Sequence, residues 1–333
     1  MRAGSQSGRR AGLRLRWRGS VVRQARRAIP IYLLVLALVA LTLMVSPTFR
    51  TVQNFRNVVA QVTPLAAVAV GQTLVLLMGG IDLSIGSVVS LTTVILSFSG
   101  RNGAYSLGPA LLLALGAGAL AGLLNGLGIV RLRIPPLLMT LASSAVVKGV
   151  ALYLRDAPGG SVDRGLTRFL NWNAGPVSTF GLILLVLYLA AWAFLSFTRP
   201  GRHLYATGGD MEHARRSGVN VDRTTIMGYT LAGVVGAIGG ILLAGRIYSG
   251  DPVIGDPYSM DSIASAVLGG TSLLGGIGGV VGTLAGAVLL AMTNNILNLL
   301  NVFSFYQYIV KGLILAGALV LYHVRGRGAH HAA

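Results

Sequence analysis

Residues 58–87, VVAQVTPLAAVAVGQTLVLLMGGIDLSIGS, decide the fold class of this chain. The stretch opens with an apolar run long enough to cross the hydrocarbon core of a bilayer, which takes about 20 residues in a helix. It ends on the pair Gly79-Gly80, which breaks a helix. Asp82 follows this pair and is the only acid among the first 155 residues. This order predicts a membrane helix that stops at a functional loop.

The composition of the whole chain supports a bilayer as its solvent. Hydrophobic residues make up 53% of the 333 residues and charged residues 11%, against about 25% charged residues in a soluble domain. The net charge of +18 does not indicate a nucleic-acid partner, because the arginines cluster at the ends of apolar segments, as membrane topology requires. The absence of cysteine excludes disulfides and thiolate chemistry.

The apolar segments predict an all-α polytopic bundle of about ten transmembrane helices, with some short or re-entrant. Three of the segments are short, which favours tilt or burial within the protein for them. The ten segments are 29–45, 58–78, 84–99, 108–130, 135–154, 179–198, 225–245, 262–275, 278–299 and 304–322.

The distribution of arginine predicts that both termini are cytoplasmic. With the N-terminus inside, arginine is concentrated in the inner segments, which is the bias that orients membrane proteins. We divide the chain into a basic cytoplasmic tail at 1–28, a transmembrane domain at 29–325 and a short tail at 326–333. The tail 1–28 is suited to contact with anionic lipid. Within the domain, 199–223 is predicted as a cytoplasmic coupling loop.

Six polar residues in or beside apolar segments are candidates for a translocation pathway, because ionisable groups at membrane depth are usually functional. For Asp82 the alternative is a simple cap of segment 84–99, and we expect it also to shape the inner mouth of the pathway. For both lysines the alternative is that the ammonium reaches up to the interface. A carboxamide can instead join two helices. The candidates are Asp82, Ser84, Asn125, Lys148, Asn294 and Lys311.

Two ladders of glycine predict close helix packing. Residues four apart share one face of a helix, and small side chains there let a neighbouring helix approach. The first ladder lies in segment 108–130 and the second in segment 278–299. The ladders are Gly118, Gly122 and Gly126, and Gly278, Gly282 and Gly286.

The inner segment 199–223 predicts a docking element for a cytoplasmic partner. Asp210 is positioned to cap a short helix over 211–217, and Gly218 to end it; Gly208 and Gly209 leave room for a turn before it. Apolar side chains are expected to enter a cleft of the partner, and the arginines to meet acids at its rim. A solvated connector is the alternative. The residues assigned to coupling are Leu204, Gly208, Gly209, Asp210, Met211, Glu212, Ala214, Arg215, Ser217 and Gly218.

The chain lacks the motifs that would let it work alone as an enzyme. It has no phosphate-binding loop for ATP, no dense cluster of His and acids for a metal, and no arrangement for nucleophilic catalysis. We therefore expect no catalytic residue, metal or cofactor in this chain.

Three motifs in order resemble the ribose/xylose/arabinose-type sugar permeases of ABC transporters, within a broader group that includes branched-chain amino-acid permeases. They are GQT through GGIDLSIGS at 71–87, GRHLYATGGDMEHARRSGVNV at 201–221 and GDP through LGGTS at 250–272. The second departs from the family pattern at Asp210, where the family has Asn, and at His213, where it has Ala. The resemblance covers roughly residues 30–325, and the tail 1–28 has no clear counterpart.

The resemblance implies an importer in the bacterial cytoplasmic membrane. Its partners would be a second permease chain, two ATP-binding subunits or one double subunit that hold ATP and magnesium, and an extracytoplasmic sugar-binding protein. Two other classes of solute transport stay open. One is a permease of the same architecture for branched-chain amino acids or another small polar solute. The other is an ion-coupled secondary transporter, which would need more intramembrane acids than the sequence offers.

Overall fold

The structure is a computed structural model whose described residues are mostly helical. It describes residues 29–40, 42–44, 47–100, 103–175, 177–303, 305–307, 309–310, 312–313 and 316. The predicted tails at 1–28 and 326–333 lie outside these residues, as does Lys311.

The helices follow the apolar segments along the chain. The described residues of 29–44 form α1, and a short 3-10 helix at Pro47–Arg50 leads into α2. A two-stranded antiparallel sheet, β1 at Asn173–Ala174 and β2 at Val177–Ser178, lies between α6 and α7. The remaining helices are α2 Val52–Leu77, α3 Ile85–Leu96, α4 Leu107–Arg131, α5 Pro136–Leu154, α6 Arg164–Leu170, α7 Thr179–Phe197, α8 Arg199–Gly209, α9 Met211–Arg216, α10 Val221–Ile247, α11 Asp256–Leu268 and α12 Val280–Leu299.

Six of the described helices are long and apolar enough to cross a membrane: α2, α4, α5, α7, α10 and α12. The helices α1 and α3 are apolar but shorter. The polytopic membrane fold is therefore confirmed. The described residues do not establish the predicted count of about ten spans, since most of the last segment, 304–322, lies outside them.

The segment predicted at 262–275 differs most from the structure. The helix there, α11, begins earlier, at Asp256, and ends at Leu268. Residues 269–279 are non-helical, and Gly270, Gly275 and Gly276 adopt positive φ values. Left-handed backbone of this kind ends a helix, so an apolar composition at 269–275 does not produce one.

The centre of the bundle is built on α2 and α10, which pack against each other and against most of the other long helices. The half-length helices α3 and α11 meet at their N-terminal ends. The Gly86 amide donates to Ser259 Oγ at 3.2 Å, and the Gly255 amide donates to Ser90 Oγ at 2.8 Å. Both half-helices therefore begin at the same place inside the protein and run apart from it.

The glycine ladder of α4 faces α10. A Cβ on Gly118, Gly122 or Gly126 would collide with the backbone of α10, at Gly233, Tyr229 and Ile226 respectively. Backbone atoms cannot move aside as a side chain does, so these positions accept only glycine.

The second ladder is shorter than the sequence predicts. Gly282 and Gly286 face α11, where a Cβ would collide with Gly269 and Ser265. Gly278 has φ 129° and precedes the first residue of α12. It lies against Thr271 in the preceding loop, so its assignment to this helix face is wrong.

Candidate functional site

The loop after α2 holds Asp82 inside the protein. Asp82 is 1% exposed, and its Oδ1 accepts hydrogen bonds from the Ser84 amide at 2.8 Å and the Ser84 hydroxyl at 2.6 Å. The N-cap residue of α3 is Ser84, so the prediction that Asp82 caps this helix is corrected by two positions. The Asp82 carboxylate accepts hydrogen bonds from the cap residue and is not itself the cap.

Asn125 extends this network to α4. Its Nδ2 donates to Ser84 Oγ at 2.8 Å, so the hydroxyl accepts from the amide and donates to the Asp82 carboxylate. The Gln72 amide of α2, in the orientation that satisfies both of its atoms, pairs with the backbone N–H and C=O of Asp82. The side chains of Asp82, Ser84 and Asn125 are each 1% exposed or less. In this conformation they join α2, α3 and α4 and do not line an open path.

Two adjacent carboxamides of α12, Asn294 and Asn295, are at least partly buried. Asn295 Nδ2 donates to Asn54 Oδ1 of α2 at 3.3 Å, which links the two helices. Asn294 is partly buried, and its Oδ1 has no hydrogen-bond partner among the described residues. Because Asn295 contacts the start of α2 whereas Asp82 follows the end of α2, Asn294 lies apart from Asp82, Ser84 and Asn125.

Lys148 of α5 makes an ion pair with an acid of α11. Its Nζ lies 2.5 Å from Asp256 Oδ2 at the start of α11, and the two side chains are 36% and 44% exposed. The ammonium thus pairs with an acid instead of reaching alone to the interface. Asp256 was not among the candidates read from the sequence.

The polar stripe on α5 consists of Thr140, Ser144 and Lys148, which are four residues apart and share one helix face. Thr140 Oγ1 donates to the Ile81 carbonyl at 3.2 Å. Ser144 Oγ lies 2.8 Å from Ser87 Oγ in the first turn of α3. The polar stripe therefore runs from the loop of Asp82 along the start of α3 to the start of α11.

The predicted coupling loop is two helices, and the first belongs to the body of the protein. The turn expected at Gly208-Gly209 is the last turn of α8. A Cβ on Gly208 would collide with the Leu77 carbonyl at the end of α2. Leu204 is fully buried in the main hydrophobic core. The expectation that Leu204 enters a cleft of a partner is therefore wrong.

The second helix, α9, has the predicted cap. Asp210 Oδ1 accepts from the His213 amide at 2.8 Å, and Gly218 follows with φ +82°. Hydrogen bonds from the His213 amide and side chain lower the pKa of the Asp210 carboxyl. Ala214 is 4% exposed, so it packs within the chain, whereas Met211 is half exposed.

The arginines of α9 already have partners in this chain. Arg215 Nη2 donates to Asp222 at 2.9 Å, and Arg216 Nε donates to Glu212 at 3.1 Å. All four side chains are more than half exposed. They present a charged surface of mixed sign, whereas the sequence predicted that the arginines would meet acids at the rim of the partner's cleft.

Residues 54–319 match the family described as branched-chain amino acid transport system / permease component. The chain belongs to this family. The permease is 39% identical to the ribose import permease protein RbsC of Escherichia coli K12 over 298 residues, which cover 86% of this chain and 90% of that protein. It is 36% identical to RbsC of Bacillus subtilis 168, over 85% and 89% of the two chains. It is 35% identical to the fructose import permease protein FrcC of Rhizobium meliloti, over 88% and 84%. No solved structure matches the permease.

Two features of the permease were readable in its sequence but missed. Asp256 precedes Pro257, and an acid and a proline in the first turn are typical of a helix start. The polar stripe has the period of a helix face within an apolar segment. Only the pairing of Lys148 with Asp256 needs the tertiary structure.

Proposed function

We propose that this permease is the membrane-spanning subunit of an ABC importer that carries a monosaccharide across the bacterial cytoplasmic membrane. The observation that carries the proposal is the similarity to the Escherichia coli ribose import permease over nine-tenths of that protein. Six helices able to span a membrane support it.

The energy for transport would come from separate subunits. The sequence has no phosphate-binding loop, so ATP and magnesium would be held by two cytoplasmic ATPase subunits or one double subunit. A second permease chain would complete the pathway, and an extracytoplasmic binding protein would deliver the sugar. This chain itself would catalyse no reaction.

We propose α9 as the element that meets the ATPase. It is exposed on the side of the bundle that carries the inner ends of α7 and α10, and α8 joins it to the body of the protein. α8 packs against α2, α7 and α10, and Tyr205 Oη donates to the Gly278 carbonyl at 3.0 Å. A displacement of α9 would therefore pass directly to the membrane helices.

A substitution at Met211 tests this docking element. Met211→Asp adds a charge to an exposed position and should leave the bundle folded, while co-purification with the ATPase falls. Ala214→Arg would test folding instead, because Ala214 is buried. The control is Met211→Leu, which keeps an apolar surface. If Met211→Asp assembles and transports like the parent, α9 is not the docking element.

Reconstitution tests the proposed function as a whole. The permease is placed in proteoliposomes together with an ATPase subunit and a sugar-binding protein of the proposed importer, and uptake of labelled ribose, fructose and galactose is measured. We expect uptake of at least one monosaccharide that requires ATP and the binding protein. Uptake by this chain alone, driven by a proton or sodium gradient, would contradict the proposal.

The family description favours a second candidate solute, a branched-chain amino acid. A relative that is 36% identical, from Enterobacter sp. strain 638, is an autoinducer 2 import permease, which shows that solutes differ among relatives. Competition in the same assay separates the candidates. Inhibition of uptake by leucine but by no monosaccharide would favour the amino acid.

A further inference from the structure

The ion pair of Lys148 and Asp256 lies well inside the length of α5, a helix that is long and apolar enough to cross a membrane. In a bilayer the pair would therefore lie at the depth of the hydrocarbon core. At a rise of 1.5 Å per residue, Lys148 lies about 18 Å from the first residue of α5 and about 9 Å from the last. More than a third of each side chain is nevertheless exposed at the surface of the chain. Charged groups at this depth face a water-filled cavity or another protein group, because contact with lipid tails is costly.

The surroundings of the pair are polar on one side. Lys148 is the last residue of the polar stripe of α5. Exposure increases along this stripe: Thr140 is buried, whereas Ser144 and Lys148 are half-buried. The stripe faces the start of α3, and Asp256 stands at the start of α11. Since α3 packs against both α5 and α11, the beginning of α3 forms the floor between them.

The junction of the half-helices adds further polar groups. Ser259 Oγ donates to the Leu83 carbonyl at 2.8 Å and accepts from the Gly86 amide. The N-terminal ends of helices carry partial positive charge, which suits oxygen ligands. A neutral solute rich in hydroxyl groups can accept from an ammonium and donate to a carboxylate, so it matches an ion pair without net charge.

We propose that the groove between α5 and α11, with the start of α3 as its floor, lines the solute pathway and that Lys148 and Asp256 bind sugar hydroxyls there. The identity of the solute rests on the proposed function above. The presence of water in the groove does not. During passage, hydrogen bonds to the sugar replace part of the contact between the two charged groups.

The first experiment tests whether water reaches the groove. Single cysteines can be introduced without a background reaction, because the chain has no cysteine. Lys148→Cys and Ser144→Cys are made singly and treated in right-side-out and inside-out vesicles with a charged methanethiosulfonate reagent. The control is Val150→Cys, an exposed position about 200° around α5 from Lys148. The cysteine thiolate attacks the sulfenyl sulfur of the reagent, forms a mixed disulfide and displaces methanesulfinate; a thiolate does not form in hydrocarbon.

We expect both groove cysteines to react, from at least one side, ten or more times faster than the Val150→Cys control. Reaction no faster than the control at both positions would overturn the proposal. A cysteine at position 148 that instead forms a disulfide between two copies and resists the reagent would show a dry contact between permease chains. That result would also overturn it.

Sugar binding is tested second, in the reconstituted importer. Lys148→Met and Asp256→Asn should each lower uptake at least tenfold while the complex still assembles, and Val150→Met should not. The double variant Lys148→Asp with Asp256→Lys restores a pair of opposite charges. If the double variant also restores parental uptake, the ion pair has only a structural role and the assignment to sugar binding is wrong. Fast labelling with no monosaccharide uptake by the parent would refute the proposed function and leave the water-filled groove standing.

Discussion

Two acids lie near the starts of the half-length helices, and they differ in exposure and in hydrogen-bond partners. Asp82, before α3, is enclosed by Ser84, Asn125 and the Gln72 amide. Asp256, at the start of α11, pairs with Lys148 at an exposed face. The starts of the two helices are nevertheless joined by direct hydrogen bonds. We infer that an acid near a membrane helix serves the pathway only where its side chain is open, as proposed for Asp256, whereas the enclosed Asp82 holds the fold together.

The largest expected difference is in stability. Asp82→Ala removes the acceptor for the Ser84 amide and hydroxyl, and each buried group left without a partner costs about 1–3 kcal/mol. Asp256→Ala breaks a half-exposed pair and should cost less than about 1 kcal/mol. Thermal unfolding of both variants in detergent measures the difference.

Asp82→Asn serves as the control, because its amide oxygen still accepts a hydrogen bond and the loss should be smaller. Equal destabilisation by Asp82→Ala and Asp256→Ala would mean that the two acids have the same structural role.

The junction between the half-helices should tolerate little change. A Cβ on Gly86 would overlap Ser259 Oγ and the Gly255 carbonyl. Gly86→Ala should therefore destabilise the permease by about 1–3 kcal/mol, the range for an overfilled interior. Gly149→Ala, in α5, is the matched control, because a Cβ there meets open space and alanine favours a helix by up to about 1 kcal/mol. Unfolding in detergent at or above the parental temperature for Gly86→Ala would contradict the close junction.

The smallest effect concerns a third acid, Asp210, which caps α9 with its side chain about half exposed. Its folded-state pKa is lowered by the hydrogen bonds from His213, so the cap contributes stability above the unfolded pKa. That contribution is lost as the pH falls through the folded pKa. Protection of the α9 amides from hydrogen exchange, corrected for the intrinsic rate, should fall in acid. Asp210→Asn should cap without this pH dependence; the same acid loss in that variant would rule out the carboxylate as its source.

Much of the fold follows from local features of the sequence. The spacing of Gly118, Gly122 and Gly126 predicted a packing face because helix periodicity is a local property. The cap at Asp210 was predicted for the same reason, since its partner is only three residues away. Long apolar runs predicted about ten spans, and six of the described helices are long and apolar enough to cross a membrane.

Other features needed the tertiary structure. Burial of Leu204 and Gly208 could not be read from a polar segment, because it depends on α2 and on the loop after α11. A local signal did exist for α8. Thr198 caps it, with its hydroxyl accepting from the Gly201 amide, and Pro200 lies in its first turn. Whether Asp82 or Asp256 is enclosed is likewise a question of packing, on which the sequence around each acid is silent.

A structure of the assembled importer trapped with a bound monosaccharide tests the central claim most directly. The account predicts sugar density between α5 and α11, with hydroxyl oxygens within hydrogen-bond distance of Lys148 Nζ and Asp256, while Asp82, Ser84 and Asn125 keep their contacts with one another. Sugar density enclosed by Asp82, Ser84 and Asn125, with the Lys148–Asp256 pair covered by lipid, would contradict it.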